Sequence, residues 1–155
     1  MKKKPLVLTN GRVEELQASD ELDLVNNLDL VNKVNGHPSS IVKGQPVYVN
    51  AVGQIDIAKA DAALSANVIG LVRNDSIAAG ASGQVQLQGQ LYMADWTAVT
   101  GSPDLTVNSE YYLSPTNAGT LTTTPASTPG QFLAFVGFAV DAKTLMILWE
   151  RPIRL

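Results

Sequence analysis

From residue 44 almost to its end, the chain sets short apolar runs against polar positions and punctuates them with turn residues. Pro46-Val47-Tyr48-Val49 is a β-branched and aromatic run closed by Asn50 and Gly53, and Gln54-Ile55-Asp56-Ile57 alternates polar with apolar. Successive side chains of a strand point to opposite faces, so both runs predict short strands. Asn67-Val68-Ile69-Gly70-Leu71-Val72 is a continuous apolar run bounded by Arg73-Asn74-Asp75, which predicts another short strand. Gln84-Val85-Gln86-Leu87-Gln88-Gly89-Gln90-Leu91 alternates nearly throughout and predicts one strand with an apolar buried face and a wet face of glutamine. Tyr111-Tyr112-Leu113 and Leu121-Thr122-Thr123-Thr124 flank Asn117-Ala118-Gly119, which predicts a hairpin. Phe132 to Val140 is a long apolar run broken by Gly137, and Thr144 to Trp149 follows the turn Asp141-Ala142-Lys143. About eight short strands at such spacing predict an all-β fold, a small barrel or sandwich.

Helix is scarce. Ala58-Lys59-Ala60-Asp61-Ala62-Ala63-Leu64 fits a short helix on alanine propensity and a loop equally well. Asp95-Trp96-Thr97-Ala98-Val99 fits one helical turn capped by Asp95.

The first forty residues have a different character. Leu22-Asp23-Leu24-Val25-Asn26 recurs six residues later as Leu28-Asp29-Leu30-Val31-Asn32. An even period keeps both copies on one face of an extended chain, whereas on a helix the copies are offset by about 120°. The repeat favours an extended arm, although Leu24, Leu28 and Val31 also match helical spacing. Gly, Pro and Ser cluster over residues 36–44, so the expected division is an N-terminal arm over 1–40 and a β domain over 41–155.

Charge sharpens that division. Residues 1–35 carry five basic and six acidic side chains, whereas residues 62–140 carry only Arg73, Asp75, Asp95, Asp104 and Glu110. Over the whole chain charged residues are 16%, below the roughly 25% usual in soluble domains. A free monomer keeps a charged, mixed surface for solubility, while protein interfaces are depleted of charge. Much of residues 62–140 is therefore expected to face other protein. The arm, with Leu6, Val7, Leu8, Val13, Leu16, Leu22, Leu24, Leu28 and Leu30, is too apolar to be left in water.

Reactive residue types are few. Cysteine is absent, which excludes disulfides, thiolate metal sites and cysteine nucleophiles. The single histidine, His37, lies in the turn-like Asn35-Gly36-His37-Pro38-Ser39, so no multi-histidine metal site exists and any serine triad has to use it. Gly80-Ala81-Ser82-Gly83 lacks the Lys-Ser/Thr of a phosphate loop. Asp56, Asp61, Asp75, Asp95 and Asp104 stand mostly beside turn residues, where aspartate bonds its own backbone. No enzyme, cofactor or metal is expected. Trp96, Trp149, Tyr111 and Tyr112 suit either core packing or a contact platform. Lys2, Lys3 and Lys4 precede only Leu6-Val7-Leu8 before Thr9-Asn10-Gly11, too short for the apolar core of a secretion signal. No run reaches the 18 or so apolar residues of a membrane span, and a net charge of -3 argues against nucleic acid as a partner.

Several segments together resemble a known class. Gly44-Gln45-Pro46-Val47-Tyr48-Val49, Val68-Ile69-Gly70-Leu71-Val72, Ile77-Ala78-Ala79-Gly80 and Gly83-Gln84-Val85 look like small β-rich virion proteins of tailed bacteriophages. Tyr111-Tyr112-Leu113-Ser114, Gly119-Thr120-Leu121-Thr122-Thr123-Thr124-Pro125, Gly130-Gln131-Phe132 and Val136-Gly137-Phe138-Ala139 extend the resemblance over residues 44–148, and Lys4-Pro5-Leu6-Val7-Leu8-Thr9-Asn10-Gly11-Arg12 is similar to the start of phage tail and head-fibre proteins. The resemblance implies a capsid decoration (cement) protein, usually trimeric, made in the host cytoplasm and placed on the capsid surface. Its partners are then the major capsid protein and copies of itself, and it supplies no catalytic residues. A fibre or tail component that attaches to a host surface is the alternative, and a carbohydrate-binding or carbohydrate-active module is a third. The residues expected at the capsid or subunit interface are Leu6, Val7, Leu8, Leu22, Leu24, Leu28, Leu30 and Trp96.

Overall fold

The computed structural model describes residues 30–155 in full and, ahead of them, the backbone of Leu6–Thr9 and Arg12–Glu15. In chain order the elements are β1 (Leu6–Thr9), β2 (Arg12–Glu15), β3 (Leu30–Val34), β4 (Ile41–Val42), β5 (Pro46–Val49), β6 (Ile55–Ile57), β7 (Gly70–Val72), β8 (Ser76–Ile77), β9 (Ser82–Gln86) and β10 (Gly89–Tyr92). A single helical turn, α1 (Thr97–Thr100), precedes β11 (Glu110–Leu113), β12 (Leu121–Thr122), β13 (Phe132–Leu133), β14 (Phe135–Ala139), β15 (Thr144–Ile147) and β16 (Ile153–Arg154). The fold is all-β, as expected, but the described residues divide into sixteen very short strands.

Two five-stranded antiparallel sheets carry the structure. The first has the order β3-β9-β7-β5-β6 and the second β10-β15-β14-β11-β12, while β1-β2, β4-β8 and β13-β16 are separate two-stranded ladders. The inward residues of the first sheet, Val47, Ile55, Val72 and Val85, join Ile41 and Ile77 of β4 and β8 in one apolar cluster. The second sheet buries Leu91, Leu113, Val136, Leu145 and Ile147 in a larger cluster that also takes Leu71, Trp96 and Leu105. Each alternation read in the sequence thus points its apolar set at a core, the arrangement that burial of apolar area favours.

The first sheet curls until its edges meet at one point. Asn35, just beyond β3, bridges Ile55 at the start of β6, and the Gly36 N–H donates to the Ile55 carbonyl at 2.8 Å. The contact is a single bridge, so the ring is not a closed barrel. Asn35 is only 1% exposed, yet its amide donates to the carbonyls of Ser39 (2.9 Å) and Ile77 (2.8 Å), and its Oδ1 accepts the His37 N–H at 2.8 Å. A buried polar side chain is tolerable when satisfied in this way.

Three local readings are decided or refined by the structure. The alternating run from Gln84 to Leu91 forms two strands, β9 and β10, in different sheets. Gly89 takes the left-handed conformation (φ +89°), and the fully buried Gln86 donates through Nε2 to the carbonyls of Gln88 and Gln90 while Arg73 donates to its Oε1. Gln86 therefore clamps the corner from inside and does not belong to a wet face. Ala58–Leu64 forms no helix, because its backbone bonds outward: the Ala60 N–H donates to Ser114 and the Ala60 carbonyl accepts from Phe132. Finally, β3 lies wholly ahead of the expected boundary at residue 40, and Leu30–Val34 pair in register with Gln86–Ser82. The hairpin around Asn117-Ala118-Gly119 forms as read, with Leu113 opposite Leu121 and Gly119 at φ +70°.

Candidate interaction surface

The residues expected to make contacts fall in different places. Leu6, Val7 and Leu8 stand on β1, opposite Glu15, Glu14 and Val13 of β2. Leu22, Leu24 and Leu28 lie outside the described residues. Leu30 begins the edge strand β3 and is 36% exposed. Trp96 is not at a surface at all: it is 0% exposed, and its indole N–H donates to the Lys143 carbonyl at 3.0 Å. Its neighbours Val99 and Leu105 leave no face for a platform.

His37 has a partner that its turn-like context did not reveal. Its Nδ1 lies 2.8 Å from Asp56 Oδ1, across the corner where the sheet edges meet, and Asp56 Oδ1 also accepts the Ile57 N–H at 2.7 Å. Tyr48, paired with Asp56 across β5 and β6, has its phenol pushed upward by burial and then by the charges of Asp56 and Asp61. The cluster is a structural clasp. Among the described residues no group of three or more His, Asp or Glu side chains converges to hold a metal ion. None of their helices is long and apolar enough to cross a membrane.

The aspartates mostly do structural work too. Asp95 Oδ1 accepts the Thr97 hydroxyl (2.6 Å) and N–H (2.8 Å), which fixes the start of α1 from one position further out than a standard cap. Asp104 pairs with Lys143, whose Nζ also donates to the Pro103 carbonyl. The Asp95 carboxyl is held below the usual range first by the Thr97 hydroxyl, Asp61 first by Lys59, and Asp141 first by the Lys143 N–H. A depressed carboxyl stabilises the fold above its unfolded value and loses that contribution as pH falls through the folded value. Thermal stability is therefore expected to decline below about pH 4, and less steeply in Asp61→Asn, as followed by circular dichroism melts.

The surface itself is unusual in its lack of charge. Residues 111–140 contain no ionisable side chain except the two tyrosines, yet Thr116–Ala118, Thr123–Pro125 and Ser127–Gly130 are exposed. Beside them a cleft of about 580 Å³ runs between the α1 loop and the β11–β12 hairpin, lined by hydroxyls such as Thr97, Ser102, Thr106, Thr120 and Thr123. A second exposed feature is apolar: Leu148 (48%), Trp149 (37%), Ile153 (60%) and Leu155 (40%) follow one another along the C-terminal segment. No protein-family model and no curated protein matches the chain.

Proposed function

We propose that this protein is a structural, non-enzymatic subunit of a tailed-bacteriophage virion, which coats the outer capsid surface as a homotrimer and stabilises the head. The observation that carries the reading is the exposed but uncharged surface of residues 111–140. Hydroxyl and amide side chains cost less to desolvate than isolated charges, so such a surface suits close contact with sister subunits and with major capsid protein. The likeness of the segments over 44–148 to small phage virion proteins supplies the identity of the assembly. Many weak contacts on one lattice act together through effective concentration, and binding to the mature shell stabilises it by mass action. Neither nucleic acid nor membrane is needed as a partner.

The wild-type chain is expected to run as a trimer by light scattering and to give lattice-wide density on empty heads by electron microscopy. Thr123→Lys with Thr128→Lys is expected to leave the melting curve unchanged and to abolish both. A monomer with no affinity for heads ends this reading. The hydroxyl-lined cleft favours a second one, a fibre or tail component that recognises a host glycan. Density at the tail or at isolated vertices, with glycan-array binding lost on filling the cleft, selects it.

A further inference from the structure

Strand β11 turns Tyr111 and Leu113 into the core, so alternation sends Glu110 and Tyr112 to the outer face of the second sheet. There the Tyr112 ring meets Phe135 of β14 edge to face, with centroids 5.8 Å apart, and its hydroxyl donates to the Glu110 carboxylate. The chain beyond β15 runs past the same spot and places Ile153 of β16 opposite Leu133 of β13. Together they form a hollow of about 280 Å³, lined by these apolar side chains and by Glu110, Glu150 and Arg151. Ile153 stands 60% exposed beside it.

The charges at this hollow are not spent within the chain. Among the described residues the ion pairs are His37–Asp56, Lys59–Asp61 and Lys143–Asp104, and Glu110, Glu150 and Arg151 belong to none of them. Glu110 and Glu150 are also the only glutamates in residues 30–155. A partner of one charge sign would satisfy either the arginine or the glutamates and repel the other. What fits has to offer an anion to Arg151, a cation to the glutamates and an apolar side chain to the Tyr112–Phe135 pair. The patch itself carries that set in Glu150, Arg151 and Ile153. A two-fold contact between identical patches sets each group against its complement twice over.

We infer that two copies of this chain meet across a two-fold axis at this hollow, with Arg151 of each copy paired to Glu150 of the other and Ile153 of each copy set against the other's Tyr112 and Phe135. Seven lining residues a side are few beside the roughly 20–30 of a standard interface. The contact is therefore weak and forms as concentration rises. Apolar burial at Ile153 holds it together, while the arginine–glutamate pairs fix its register and exclude other partners. The inference does not rest on the virion reading, whose contacts are the exposed uncharged side chains of residues 116–130. Where that reading holds, this contact joins one trimer to the next.

Sedimentation velocity of the full-length chain is expected to show its mass doubling from dilute to concentrated solution, whatever unit the dilute chain forms. Arg151→Glu leaves only carboxylates at the hollow, and Glu150→Arg sets two guanidinium groups side by side. Both positions are exposed, so each variant is expected to keep its melting curve, and each alone is expected to lose about tenfold or more in self-association through like-charge repulsion. An equimolar mixture of the two faces every introduced charge with its opposite and is expected to recover the doubling, which a misfolded variant could not do. Asp75→Arg makes the same charge change at an exposed position elsewhere and is expected to leave the doubling intact. A wild-type chain that keeps its dilute mass at every concentration means that something other than a second copy covers the hollow. A mixture that stays apart, or an equal loss in Asp75→Arg, means that these charges do not make the contact. Each of these results overturns the inference, whereas a monomeric dilute unit bears on the virion reading alone.

Discussion

Trp96→Ala is expected to lower unfolding free energy by about 3–5 kcal/mol, the largest loss from any single truncation in this chain. The residue is 0% exposed and is the largest fully buried side chain among the described residues. It also joins parts of the chain distant in sequence. Its carbonyl accepts the N–H groups of Val99 and Thr100 and so holds α1, its N–H donates to Pro103, and its indole reaches Lys143 in the β14–β15 turn. Truncation leaves a cavity and also removes one of the two hydrogen bonds to the Lys143 carbonyl, which keeps only that from the Met93 N–H. For a domain of this size a loss of that order lowers the melting temperature by about 10 °C. Urea unfolding checks the value, and Trp96→Phe, which keeps most of the packing and loses the hydrogen bond, is expected to fall between the variant and wild type. A loss under about 1 kcal/mol in Trp96→Ala means that the side chain is not central to the core.

What the sequence made legible was the period of each strand, because alternation is a local property that burial reads directly. Ile55, Val85 and Leu91 all lie buried on the faces that the alternation indicates. The Asn117–Gly119 turn was legible for a similar reason, since a residue without Cβ is favoured at positive φ. What failed was anything decided across the fold. The run from Gln84 to Leu91 is uniform in pattern, yet Gly89 splits it, and only the three-dimensional position of Gln86 explains why a glutamine faces inward. His37 carries no local signal of Asp56, nineteen residues on, because the contact exists only where the sheet edges meet. Trp96 was open to two readings, core and platform, since aromatic residues serve both; the packing decides for the core. The charge-poor surface was visible as composition, but its exposure was not. Trp149 was open to the same two readings and Leu148 was read only as strand, because the exposure of both depends on what packs above them.

Gly137→Ala is expected to destabilise by about 3 kcal/mol, at the upper end of overpacking costs. Gly137 sits inside β14, the strand hydrogen-bonded to both β11 and β15. On the β11 side the register runs Tyr111 opposite Gly137 and then Tyr112 opposite Phe135, so Val136 is the extra residue of a bulge. Bulges bend and twist a strand locally, and here the bend brings β14 against β15. A Cβ on Gly137 would lie 2.0 Å from the Met146 carbonyl oxygen and 3.3 Å from the Ile147 Cα. Those atoms are backbone, pinned by the pairing of Gly137 with Ile147 and of Phe138 with Met146, so no rotamer change relieves the clash. The methyl group has to push the two central strands of the sheet apart. Gly53→Ala is the matched control. Its φ of +82° makes alanine strained, but nothing lies within 4 Å of the added carbon, so the cost is about 1 kcal/mol. Urea midpoints of the two variants, measured side by side, are expected to fall in that order. A Gly137→Ala protein no less stable than Gly53→Ala means that β14 and β15 do not approach as closely as this fold requires.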